Sequence, residues 1–158
     1  MTAETLVRQE KTVHESRFDA ARVASALDLL DGSSASLVEA SHAGEVAQRY
    51  VIAQLAALRA AAAVLAVRGP QLIGTRSTGG PRNLWELLPA VAPELREWAE
   101  FFAHTATRRW AVDEGRQVVS VREADDLVRS AGEFHDRVRR LLGLTRAAEP
   151  LRLTPALS

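Results

Sequence analysis

Residues 45–68 read EVAQRYVIAQLAALRAAAAVLAVR. Val51, Leu55, Leu58, Ala62 and Leu65 recur at spacings of three and four, the period of one helix face. Alanines 56, 57, 60, 61 and 63 cover most of the remaining circumference. Small side chains on several faces let neighbouring helices approach closely, so the segment reads as a central helix, stopped by Gly69-Pro70. Val51–Val67 is about as long as the shortest membrane span. Arg59 at its centre and Gln54 are expensive in lipid, so a buried core helix with no membrane association is expected.

Outward from this element the chain continues in helices. Residues 3–30 place Leu6, Val13, Ala20, Ala24, Leu27 and Leu30 on one broad apolar face. Asp31-Gly32-Ser33-Ser34 reads as a break, followed by a short helix over 35–43 that ends at Gly44. Residues 69–83, GPQLIGTRSTGGPRN, hold four glycines and two prolines and read as the long loop. Asn83 caps a short helix carrying Trp85, Leu87 and Leu88. Pro93 suits the first turn of the next helix, whose buried stripe is Leu95, Trp98, Phe102 and Thr105.

Ser120 and Glu123 form a capping box for the last long helix. Its stripe is Ala124, Leu127, Val128, Ala131, Phe134, Val138, Leu141 and Leu142, with Gly143 as its stop. No useful period-2 stretch or internal repeat is present. The expected fold is all-α: a four- to five-helix up-and-down bundle over 33–143, an N-terminal helical arm over 1–32 and a loose C-terminal tail over 144–158.

Composition removes several chemistries. The 158-residue chain has no cysteine, hence no disulfide, thiolate zinc site or thiol nucleophile, as suits a reducing compartment. Met1-Thr2-Ala3-Glu4 is acidic and leads into no apolar run, so no leader is expected and the cytoplasm is the expected location. The formal net charge is zero, so no global field draws the protein to nucleic acid. Residues 1–45 are net negative and residues 137–158, with five arginines and one glutamate, net positive.

Gly-x-Ser-x-Gly, Walker and dinucleotide signatures are all missing. Di-iron bundles need Glu-x-x-His on two helices; here Glu39 and His42 supply one such pair, and no second exists. The histidines, at 14, 42, 104 and 135, are scattered, so no metal and no cofactor is expected.

Two groups of side chains are candidates for binding. Arg59, inside the most apolar helix, needs a carboxylate or several carbonyls if buried; Glu86, Glu97 and Glu100 are candidate partners by type. Failing that, it could form an anion site together with other arginines such as Arg49. Trp110, beside Arg108 and Arg109, is the aromatic least committed to a core.

The run from Gln48 to Leu65 resembles the central helix of a small actinobacterial HEPN family. Trp85-Glu86-Leu87-Leu88, Pro93-Glu94-Leu95, Glu97-Trp98-Ala99, Phe102-Ala103 and Arg122-Glu123-Ala124-Asp125-Asp126-Leu127 resemble blocks of the same family. The likeness covers residues 36–142.

It implies a helical bundle, commonly a homodimer, working in RNA metabolism, toxin–antitoxin systems or phage defence. Active members cleave RNA without metal, through an arginine and a histidine four to six residues apart. Arg129–His135 matches that spacing on the last helix, and Arg8–His14 matches it in the arm. Six helical steps set Arg129 and His135 about 120° apart around the axis. The expectation is therefore a non-catalytic HEPN-like module that binds RNA or a protein partner as a homodimer. The alternatives are a metal-independent endoribonuclease using Arg129 and His135, or a structural helical adaptor.

Overall fold

In the computed structural model, residues 2–69 and 83–144 are described. They form five α-helices: α1 (Ala3–His42), α2 (Val46–Arg68), α3 (Leu84–Val91), α4 (Arg96–Asp113) and α5 (Val121–Leu141), with a 3-10 turn at Pro93–Leu95 leading into α4. The expected long loop, apart from Gly69 and Asn83, and the expected tail, apart from Leu144, lie outside the described residues.

Helix α1 corrects the reading of its own sequence. The break expected at residues 31–34 does not occur, and α1 runs unbroken for 40 residues. The Gly-Ser-Ser-x-Ser run is the face on which α1 crosses α2. Ser33 and Ser36 are buried, as are Ala26, Leu30 and Ala40. Ser33 Oγ donates to the Ala56 carbonyl at 2.8 Å, and the Arg59 side chain lies over Gly32. Small polar residues that favour turns in isolation are held helical by tertiary partners.

Gly32 keeps the intrinsic cost of a helical glycine. A Cβ there would meet Arg59 Cδ at 3.4 Å, an ordinary contact with a flexible side chain. Gly32→Ala is therefore expected to stabilise the protein by about 0.5–1 kcal/mol. Thermal melts should show a rise of roughly 2–4 °C, and a fall would mean that Arg59 cannot yield.

Helix α2 is central, and of its expected stripe only Leu65 is buried, together with Tyr50, Ile52 and Val64. Ala53, Ala56, Ala57, Ala60, Ala61 and Ala63 are fully buried, whereas Val51, Leu55, Leu58 and Ala62 are half-buried. Alanine lets α1, α4 and α5 approach the axis closely, while Val51, Leu55 and Leu58 sit at the rim. By length and composition α2 could cross a membrane, yet 61% of its most apolar window is buried in the bundle.

An aromatic cluster fills the far side of the core. Phe134 of α5 stands 5.1 Å from Phe102, 5.6 Å from Trp98 and 6.0 Å from Trp85, centroid to centroid. Gln54, buried in α2, donates to the Phe102 carbonyl and accepts from Thr105 Oγ1, which sets α2 against α4.

Helix α5 follows its sequence signals. Ser120 Oγ accepts from the Glu123 N–H, and Glu123 accepts from the Ser120 N–H. At the other end Gly143 has φ 68°, and the Gly143 and Leu144 N–H groups donate back to the Arg140 and Arg139 carbonyls. That is the left-handed closure that glycine permits.

Candidate functional site

The sequence singled out Arg129 and His135, and the structure keeps them apart. Arg129 is exposed and pairs with Asp126 at 3.0 Å on its own helix. His135 is only 6% exposed and faces inward, where its Nδ1 lies 2.9 Å from Ser33 Oγ of α1. The single hydroxyl proton of Ser33 is committed to the Ala56 carbonyl. His135 Nδ1 must then carry the hydrogen and donate it, leaving Nε2 as the unprotonated nitrogen. Three helices, α1, α2 and α5, thus meet in one chain of hydrogen bonds.

This environment favours the neutral ring. Burial lowers the His135 pKa, Arg139 one turn on lowers it further, and Asp136 and Asp31 oppose the shift. The unfolded chain binds the proton near pH 6.5. The stability this group contributes is therefore fully present above that pH and is lost as pH falls toward the lower folded value. Melts between about pH 7.5 and 5.5 should show a falling Tm. His135→Gln, which still offers an N–H to Ser33, should flatten that slope; an unchanged slope would place its origin elsewhere.

A second polar crossing lies one turn away. Of the two kinds of acceptor expected for Arg59, carboxylate or carbonyl, no carboxylate is used. Instead its Nη1 donates to the Gly32 carbonyl at 3.2 Å and to Ser36 Oγ. Glu86, Glu97 and Glu100 are all exposed on other elements. An arginine can be satisfied by carbonyl and hydroxyl acceptors when half its stem reaches solvent, as here, where α1 presents both along one groove.

The other candidate cations are similarly engaged. Arg49 bonds Asp125 at 2.6 Å and the Ala43 carbonyl. Arg108 bonds Glu123 and the Val118 carbonyl and stands 6.0 Å over the Tyr50 ring. Arg108 and the Ser120 N–H hold the Glu123 carboxyl down to about 2. Arg109 is half-buried, and Trp110 is 66% exposed.

The expected arginine cluster thus becomes three separate struts: Arg49 from α2 to α5, Arg59 from α2 to α1, and Arg108 from α4 to α5. Sequence could not reveal this, because the acceptors are backbone carbonyls and residues more than a dozen positions distant.

An open groove of about 650 Å³ runs between the start of α2 and the α4–α5 turn. Its charged lining is Glu45 and Asp113, with Val51 and Val118 on its walls. Two carboxylates without a lining cation repel phosphate. Among the described residues, no three histidine, aspartate or glutamate side chains converge as metal ligands.

The helix order and the match to known families agree. The HEPN_SAV_6107-like HEPN family model matches residues 40–139, more than half of the chain. The chain belongs to that HEPN family. No curated protein and no solved structure matches it. The HEPN match begins at Ala40, so Gly32, Ser33 and Ser36 lie before it. The groups that seal His135 and seat Arg59 therefore come from the part of α1 that precedes the matched HEPN span.

Proposed function

We propose that this HEPN protein is a non-catalytic module that holds a protein partner and is itself assembled as a homodimer. The observation that carries this reading is the use of His135: its donor nitrogen is tied to Ser33, its ring is buried, and Arg129 is paired elsewhere with Asp126. An endoribonuclease would need an arginine and a histidine converging on one phosphate in an open cleft.

The electrostatics favour protein over RNA. Arg49, Arg59 and Arg108 are spent on internal acceptors, and the groove at the start of α2 is acidic. An RNA site depends on cations free to replace counterions along the phosphate backbone. Trp110 instead presents an exposed aromatic, the residue type that anchors protein interfaces. The cysteine-free composition suits a cytoplasmic setting.

Fluorescence anisotropy of a labelled single-stranded RNA at about 50 mM salt tests this choice. No saturable binding is expected up to roughly 100 µM protein, the weak end of non-specific affinity. Tighter, salt-sensitive binding would make the partner RNA and overturn the reading.

A further inference from the structure

The first part of α1 stands apart from the bundle. From Thr2 to Ser25 no residue is buried, so roughly 35 Å of helix, at 1.5 Å per residue, has no core-packed face. A helix of that length is marginal in water without a packed face. Leu6, Val13, Ala20 and Leu27 recur every seven residues, and Val23 adds an apolar position three beyond Ala20. Leu6, Val13, Val23 and Leu27 are between 38% and 54% exposed. This is the seam of a coiled coil without its second strand.

We propose that the occupant is the same arm of a second copy, packed antiparallel. Charge selects this arrangement and its register. With Leu6, Val13, Ala20 and Leu27 as the a positions, Glu10 and Arg17 are the charged e positions. In an antiparallel pair e faces e. Placing Leu6 opposite the partner's Val23 sets Glu10 beside the partner's Arg17, and the two-fold axis repeats the pair.

Slipping by one heptad sets Glu10 against the partner's Glu10 in one direction and Arg17 against the partner's Arg17 in the other. A parallel pair would set Glu10 beside Thr5 and Arg17 beside Thr12, with no opposite charges. Ser16 and Gln9 at d positions weaken the seam, which keeps the pairing modest.

Length agrees with charge. In this register Thr2 lies opposite the partner's Leu27. Each arm therefore ends where the other's bundle begins, at the first buried residue, Ala26. The two bundles are carried to opposite ends. This inference rests on the homodimer reading above and names the surface that joins the two copies.

The chain has no cysteine, which makes disulfide trapping clean. Leu6→Cys and Val23→Cys chains are prepared separately, then oxidised singly and mixed in a glutathione buffer; both positions are exposed, so both variants should fold. The mixture is expected to form a covalent dimer and each single variant to stay monomeric on non-reducing gels. Covalent dimer in Leu6→Cys alone would mean a parallel pair and would overturn the proposal, as would no cross-link in any sample. Sedimentation of the wild type separates the two ideas: a dimer that fails to trap would sink the arm pairing while leaving the homodimer reading intact.

Glu10→Arg or Arg17→Glu alone should weaken self-association about tenfold, since each creates like-charge pairs twice. Combining both should restore it. Equal loss in the single and double variants would also contradict the pairing.

Discussion

Phe134→Ala should remove about 3–5 kcal/mol of stability, as large-to-small changes in a packed aromatic core do. Phe134 is fully buried, and its ring joins α5 to Phe102 and Trp98 of α4 and to Trp85 of α3. Its neighbours are three rigid rings on two other helices, so they cannot collapse into the space the way aliphatic side chains would. A loss of that size is a large share of the 5–15 kcal/mol that a domain of this kind has in total. Urea unfolding should show a much lower midpoint with an unchanged slope. Phe134→Leu, which refills most of the volume, should recover more than half of the loss. A change below about 1 kcal/mol for Phe134→Ala would mean that the cluster is loosely packed.

Ala56→Leu should cost about 1–3 kcal/mol through overpacking. Ala56 is fully buried and lies where Ser33 of α1 touches α2. Three added carbons there must push the two helices apart. The same displacement should break the Ser33–His135 hydrogen bond and admit water to the buried ring, so His135 should titrate closer to its ordinary value in an NMR pH series. Ala62→Leu makes the same chemical change on the half-buried rim of α2 and should alter stability by less than about 0.5 kcal/mol. Equal losses at both positions would mean that the alanine face is not the packing face.

Much of the fold is legible in the sequence, for local reasons. The capping box at Ser120, the glycine closure at Gly143, the Asn83 cap and the stop at Gly69 each act within a few residues of themselves, so a linear reading finds them. The apolar stripe of α5 is equally plain, because a peripheral helix buries only one side. The misreadings occur where distant residues decide. Gly32-Ser33-Ser34 has every local mark of a turn, yet it is helical because Ala56, Arg59 and His135 supply partners from other helices. In α2 the stripe residues Val51, Leu55 and Leu58 lie at the rim, because a central helix surrounded on several sides buries its alanines.

The candidate site was less legible for the same reason. His135 was visible as a histidine on the last helix, but its fate depends on a serine 102 residues away in sequence. Arg59 was recognisable as a charge needing a partner, and its acceptors proved to be a carbonyl and a hydroxyl on α1 rather than a carboxylate. Charge type and spacing identify cations; only the fold tells which are already spent.

The central claim, that His135 serves as a structural hydrogen-bond donor rather than a base, is tested most directly with total cellular RNA. Wild-type protein, Arg129→Ala and His135→Gln are incubated with it in EDTA and the RNA is followed on a denaturing gel. The account predicts intact RNA with all three. Cleavage by the wild type that disappears in both variants would contradict it and make the chain a metal-independent ribonuclease.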